Sequence, residues 1–575
     1  MPLDPSLGKT LRKPLRIWPG VLAVVLLLAA RFGVKMVVPG FAGFRDGMLV
    51  SLGLAAVVVL WWLLLSRARW LERLGGVLLL AGGLAATRLL AHESMGPFWL
   101  LAYALPFLLL AFVAWAVATR RLADRVRWAT LIVAVVAACG PWLAARSEGI
   151  TGDHVGQFAW RWTETADDRA RFEELGDPAA APAVEETVAS EGPAWPGFRG
   201  PRRDGRVPSV RIGTDWSADP PVELWRRPVG PGWSSFAVRD GRLYTQEQRG
   251  DEELVSCYDL ATGTPLWHHR DPVRFFEANA GAGPRATPAV SGRRVVALGA
   301  TGLLNALDAV SGDLLWSRDV TADTGVPVPD WGFSGSPLIA DDLAVVAVSG
   351  RLAGYELASG QPRWLGETRG LSYSSPTAMT ISGVPQVVQL SQAGVSGVAA
   401  VDGTALWHHP APGFPIVQPA ALGGAGLLYS VSQEQGTRRL AVHRGPNGDW
   451  MPEEGWSSSA LKPYFNDFVL HEGHVYGFDG RILAAVDLES GERRWKGGRY
   501  GSGQMVLLSD QDLLLVLSET GELALVSATP ERFTELARMP VLEGKTWNHP
   551  VVVGDVLLVR NGAEMAAFRL PAPGA

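Results

Sequence analysis

Five short segments gather residue types that can do chemistry. They read Asp330-Trp-Gly-Phe-Ser-Gly335, Leu371-Ser-Tyr-Ser-Ser375, Phe465-Asn-Asp-Phe468, Arg499-Tyr-Gly-Ser-Gly-Gln504 and Lys545-Thr-Trp-Asn-His549. Asn466 and Asp467 offer amide and carboxylate oxygens, the donors that Ca2+ accepts. Asp467 is also a candidate catalytic base, able to take a proton while a hydride leaves an alcohol carbon. Trp331 and Trp547 have flat faces that stack on a planar ring. Asn548 stands beside Trp547 as a hydrogen-bonding neighbour, and His549 can donate a hydrogen bond or take a proton. Each has a plainer reading, in which polar side chains cap strand ends and hold water. No complete set of metal ligands can be named.

The elements that must position these residues are set by a repeat. The phrase Asp-x-x-Ser/Thr-Gly-x-x-x-Trp, or a close variant, ends at Trp267, Trp316, Trp364, Trp407 and Trp495. Successive tryptophans are 49, 48, 43 and 88 residues apart, so a degenerate unit fills the last, double gap. A period in the forties with strand-like flanks predicts a β-propeller of four-stranded antiparallel blades. The Asp accepts backbone N–H groups within the turn, and the Gly takes positive φ. The Trp buries a large flat surface against the next blade. The count is eight. Trp225 starts the series, and Trp450 marks the fifth blade with Trp456 as its competitor. The last blade, from Trp547 to Leu570, lacks an outer strand. Residues 222–229 supply that strand and close the ring, which protects both edges. The candidate residues then fall in turns leading into inner strands, around a central funnel.

Composition narrows the partners. The chain has 575 residues and a formal net charge of −5, so no global basic field argues for nucleic acid. Its two cysteines, Cys139 and Cys257, lie far apart and form no C-x-x-C motif, so neither a disulfide nor a zinc ribbon is expected. His268-His269 and His408-His409 are neighbours on strands and point to opposite faces, so neither pair can chelate one ion. The arginine-rich stretch from Arg199 to Arg206 reads as a solvated loop, with phosphate binding as the alternative. The glycine-rich stretches lack the strand-to-helix setting of a nucleotide loop.

The first quarter of the chain is of another kind. Apolar stretches at about 17–38, 47–66, 74–91, 97–118 and 127–146 each approach the roughly 20 residues that cross a bilayer as a helix. The membrane domain is therefore placed at 1–146. Lys9, Arg12, Lys13, Arg16, Arg67, Arg69, Arg73, Arg120, Arg121, Arg125 and Arg127 all fall on one side of it. That bias predicts a cytoplasmic N-terminus and an extracytoplasmic C-terminal part. Arg31 and Lys35, near the end of the first stretch, and Arg88, at the end of the third, are expected to snorkel to the interface. No helix pair broken by Gly or Pro suggests a transport path, so the bundle reads as an anchor. Residues 147–194 hold eleven acidic and three basic residues and an Ala/Pro-rich run. They read as a self-repelling linker with a short helix over Thr165–Leu175, started by a Thr-x-x-Asp cap. Phe158, Trp160 and Trp162 suit the lipid interface or a dock on the propeller.

The tryptophan repeats, together with Ala194-Trp-Pro-Gly-Phe-Arg-Gly-Pro-Arg-Arg-Asp-Gly205 and Glu223-Leu-Trp-Arg-Arg-Pro-Val-Gly230, resemble the PQQ-binding-like, quinoprotein-type repeat proteins of the BamB-like kind. The resemblance spans 195–570 and implies an eight-bladed scaffold. Five helices followed by a propeller is also an architecture similar to that of the membrane-bound quinoprotein glucose dehydrogenases. This chain departs from those enzymes: its propeller is short, it lacks an adjacent-cysteine pair, and no catalytic Asp with calcium ligands aligns residue by residue. It also lacks the lipobox cysteine of a lipoprotein. The expectation is a propeller over 195–575, tethered to the bacterial inner membrane and facing the periplasm. It would bind an envelope protein or a small ligand at its funnel, with no cofactor assigned. The alternative is a PQQ- and Ca2+-dependent dehydrogenase of a sugar or alcohol, passing electrons to membrane quinone.

Overall fold

The computed structural model describes residues 15–38, 41–172, 193–432 and 434–573. They divide into two compact units, one of Met1–Thr163 with Ala278–Ala280, the other of Glu164–Glu277 with Gly281–Ala575.

The first unit is built on helices Trp18–Val37, Gly43–Leu65, Trp70–Leu90, Pro97–Ala118 and Asp124–Ala144, all long and apolar enough to cross a membrane. Twenty residues at about 1.5 Å each span roughly the 30 Å of a hydrocarbon layer. Their core holds an aromatic cluster: Trp62 meets the edge of Phe112 at 4.8 Å and lies 5.9 Å from Trp115. Arg31 does not snorkel. It is 2% exposed, its Nε donates to the Ala102 carbonyl at 2.8 Å, and its guanidinium lies over Tyr103 at 4.8 Å and Phe44 at 5.1 Å. Arg31 and Ala102 both sit in π turns, Ala29–Gly33 and Leu100–Ala104, where the regular helical hydrogen-bond ladder is interrupted. Arg88 is exposed in the last turn of its helix.

The residues after the fifth helix are ordered sooner than composition suggests. Ala145–Ile150 pairs antiparallel with Gly156–Trp160. Phe158 turns inward, 5.1 Å from both Trp99 and Tyr103, and Trp160 and Trp162 stack on each other at 5.4 Å with exposed rings. The expected short helix is Ala166–Phe172. Its cap is reciprocal: Asp168 N–H donates to Thr165 Oγ1 at 2.8 Å and Thr165 N–H to the Asp168 carboxylate at 2.9 Å. The Ala/Pro-rich run lies outside the described residues.

The second unit is an eight-bladed propeller. Blades 1 to 7 occupy 237–271, 289–319, 338–365, 377–410, 420–458, 469–499 and 504–540. Blade 8 is Val551–Val553, Val556–Arg560 and Glu564–Arg569, completed by Val222–Pro228 with Ala567 opposite Trp225. This is the closure that the orphan strand predicts. Trp225, Trp267, Trp316 and Trp364 each seat on the glycine of the next blade's turn. A methyl group added at Gly312, where φ is +79°, would stand 2.6 Å from the Trp267 ring, and the same holds for Gly360 against Trp316. The indole N–H then reaches a carbonyl of that turn: Trp267 to Ala309 at 3.2 Å, Trp316 to Leu357 at 3.1 Å. Asp308 holds the turn by accepting from the N–H groups of Val310 and Ser311, both at 2.9 Å.

Blade 5 corrects one expectation. Its docking tryptophan is Trp456, not Trp450. Trp456 lies against Gly491 and donates to Leu488 O at 3.0 Å. Trp450 opens the outer strand and packs partly buried beside the blade 4–blade 5 cluster. Spacing alone favoured Trp450, but the blade's two outer strands have each grown to nine residues, which moves the docking position along the chain.

Candidate functional site

A second correction concerns the arginine-rich segment. It is no solvated loop but a plug along the propeller axis. Trp195 pairs with Val238 of blade 1, and Pro196 O accepts from Val290 N–H of blade 2. Arg203, 8% exposed, donates to the Ser336 and Pro337 carbonyls of blade 3 at 3.1 and 2.8 Å. Arg199, 3% exposed, reaches Phe468 O of blade 6. Arg206–Val207 adds a short parallel strand to blade 7, and Phe198 meets His549 of blade 8 edge-on at 4.7 Å. A segment that meets the inner strands of six blades, or the turns leading into them, lies where those strands converge. Arginine suits the place because its five donors saturate carbonyls that would otherwise face the channel unpaired.

Around the plug runs a belt. The residue two places before the inner strand is Ser235, Thr287, Ser336, Ser375, Gln418, Asp467 and His549 in blades 1 to 6 and 8. Along part of it, each side chain accepts an N–H from the blade before. Ser235 N–H donates to Thr287 Oγ1 at 3.0 Å, Thr287 N–H to Ser336 Oγ at 2.9 Å, Ser336 N–H to Ser375 Oγ at 2.9 Å, and Gln418 N–H to Asp467 Oδ1 at 2.9 Å. Ser235 Oγ closes toward blade 8 by donating to His549 O at 2.7 Å. Asp467 is thus one position in a repeating series.

Asp467 is 5% exposed, with Arg199 Nη1 3.8 Å from Oδ1 and His549 Nε2 3.3 Å from Oδ2. Burial alone would raise its pKa, but the Arg199 charge and the neighbouring His549 outweigh it and hold the carboxyl below the usual range. Burial dominates at His549 and pushes the imidazole down, which keeps it neutral despite Asp467. Burial, then the Arg199 charge, brings Arg203 down to about 10. The result is a guarded anion with its positive partners already in place.

Five of the six sequence candidates come together here. Gln504 Nε2 donates to both Phe465 O and Trp547 O at 3.1 Å, which ties blades 6 and 8 through blade 7. Asn466 Oδ1 accepts from Tyr464 N–H at 3.0 Å, and Asn548 Nδ2 donates to Ser234 O at 2.7 Å. Asn466 Nδ2, Asn548 Oδ1, Gln418 Oε1 and Gln504 Oε1 are buried without a partner. Trp547 packs between Trp233 and Phe465, each at 4.8 Å, and donates to Glu519 at 3.0 Å. Trp331 belongs to another group, stacked on Tyr373 at 4.9 Å and edge-on to Phe414 at 5.2 Å, in the leading turns of blades 3 to 5. Sequence reasoning missed Arg199 and Arg203. Their signal was available: a Gly- and Arg-rich stretch ahead of the repeats, with no blade of its own.

This donor set does not fit a Ca2+–quinone pair. Calcium takes about six to eight oxygens. Asp467 spends its oxygens on Gln418, Arg199 and His549, and Asn466 spends its carbonyl on Tyr464. Two buried guanidinium groups beside the carboxylate further disfavour a divalent cation.

The family model described as outer membrane protein assembly factor BamB matches residues 217–372 and 251–496. Among solved structures, BamB from Moraxella catarrhalis aligns at TM-score 0.45 and 14% identity, over 61% of this chain and 100% of that one. Quinohemoprotein alcohol dehydrogenase from Comamonas testosteroni aligns at 0.46 and 12%, over 67% and 82%. A europium-containing methanol dehydrogenase aligns at 0.41 and 10%, over 66% and 98%. No curated protein matches the chain. The C-terminal unit is an eight-bladed propeller that is similar to BamB-like repeat proteins over residues 217–496, and helices long and apolar enough to span a membrane precede it in the chain.

Proposed function

We propose that this protein is a membrane-anchored, extracytoplasmic binding or scaffold module of the bacterial envelope. The observation that carries the reading is the plug. The axial space where a propeller enzyme would hold its reacting groups is filled by the chain's own residues 195–207. The belt carboxylate, Asp467, is held by Arg199, His549 and the Gln418 N–H. Binding then belongs to the mouth of the funnel, where the two aromatic groups around Trp331 and Trp547 offer flat apolar area beside polar atoms. Such patches suit a protein partner or a small ligand. In this reading the bundle is an inner-membrane anchor with a cytoplasmic N-terminus, following the basic loops.

The test is reconstitution of the purified full chain with PQQ and Ca2+. The expected result is no quinone absorbance band retained after desalting and no dye reduction with sugars or alcohols. Retention of the band with turnover would replace this reading by the dehydrogenase. Reporter fusions at the C-terminus are expected to be active outside the cytoplasm, and a cytoplasmic signal would overturn the orientation. Photocross-linkers at Trp331 should trap an envelope partner, and the same probe at exposed Leu314 on the outer edge of blade 2 should not.

A further inference from the structure

The hairpins joining the first and second strands of blades 6 and 7 carry a second cluster. His471 ends Val469–His471, Glu472 follows it in the turn, and Asp512 precedes Leu513–Leu517 of blade 7. One imidazole nitrogen and one carboxylate oxygen from each acid lie within 4.8 Å of one another. His471 Nε2 is 2.6 Å from Asp512 Oδ1.

A second observation points the same way. His471 is 5% exposed, yet its Nδ1 has no hydrogen-bond partner. The buried ring is held by a hydrogen bond at one nitrogen only, and it stands beside two carboxylates whose like charges a cation would offset. The two acids are open to solvent, so an ion has a path in.

We propose that His471, Glu472 and Asp512 bind a divalent transition-metal ion of the zinc class, clamping blade 6 to blade 7. Imidazole nitrogen with carboxylate oxygen favours such an ion over Ca2+ or Mg2+, which take oxygen alone. Three protein ligands leave room for water to complete a tetrahedral shell. The site is separate from the belt and plug and does not depend on the proposed function above.

The experiment uses the untagged full chain, freed of metal and titrated with ZnCl2, with CaCl2 and MgCl2 as comparators. One Zn2+ per chain should bind, and X-ray absorption should show only N/O ligands with one imidazole. Zn2+ should also raise the melting temperature of the parent chain. Glu472→Gln and Asp512→Asn, both at solvent-open positions, should each weaken binding by about tenfold or more and cancel the thermal shift. His471→Ala should abolish binding, but it also removes a buried ring, so the two carboxylate variants carry the test. No Zn2+ uptake, equal uptake by both carboxylate variants, or tighter binding of Ca2+ than Zn2+ would each overturn the proposal.

Discussion

The rim of this propeller and its axis are held by different physics. At the rim, one device recurs: a tryptophan lies flat on a positive-φ glycine and donates to a carbonyl of the same turn. Trp225, Trp267, Trp316 and Trp456 all do so. The device is apolar, local and repeated, so each copy contributes a share. At the axis nothing repeats except the belt. A single segment inserts two buried arginines that serve several blades at once, and one of them is the counter-charge for Asp467. Redundancy therefore protects the rim, whereas the axis depends on single residues. A buried charge without its partner costs far more than one missing apolar contact.

The largest expected effect is at the axis. Arg199→Met leaves Asp467 buried beside a neutral side chain and should cost about 3–5 kcal/mol, read as a shift in the urea midpoint. Adding Asp467→Asn should recover most of it. If the double variant is no better than the single one, the charge pair is not what Arg199 supplies. Next comes blade 5: Trp456→Ala should cost about 3 kcal/mol, and Trp450→Ala clearly less, by the same readout. Equal losses would return the docking role to both. Gly312→Ala should cost about 1–3 kcal/mol, because the added methyl meets Trp267 at a backbone angle that L residues avoid. Hydrogen exchange should confine its damage to blades 1 and 2, and loss of protection around the whole ring would contradict redundancy.

The smallest effect is a pH dependence. His549 is held down in the folded state, so the unfolded chain takes up that proton first as pH falls below about 6.5. Its contribution is complete above that value and declines beneath it. Asp467 is also held down, and its contribution is complete above about 3.9 and fades only in stronger acid. Urea midpoints across this range should fall in two stages, and His549→Gln should flatten the upper one. An unchanged upper stage in that variant would locate the titration elsewhere.

Much of the fold was legible because it is local and repeated. Asp-x-x-Ser-Gly-x-x-x-Trp writes a turn and its docking ring in nine residues, and five copies with a period in the forties leave one architecture. The orphan strand at 222–229 was legible for the same reason: a blade short of a strand needs one. Trp456 was misjudged because a grown hairpin breaks the spacing that identified its neighbours. The site was half legible. Asn466, Asp467, Asn548 and His549 stood out as polar residues in matching turns, but their type could not separate a catalytic acid from a link in a belt. Asp467 holds the same belt position as Ser336 but carries a charge, and its neutralising arginine lies 268 positions earlier in the chain.

Taken alone, the sequence determined the number of blades, the closing strand, the five apolar helices and the turns that face the axis. Each follows from short-range chemistry: strand alternation, turn glycines, and apolar length matched to a bilayer. Only the tertiary structure decided what fills the axis, that Arg31 lies inside the bundle, and that His471 meets Asp512. Those outcomes join residues tens to hundreds of positions apart, and no local pattern encodes a partner brought close only by closing the ring or packing the helices.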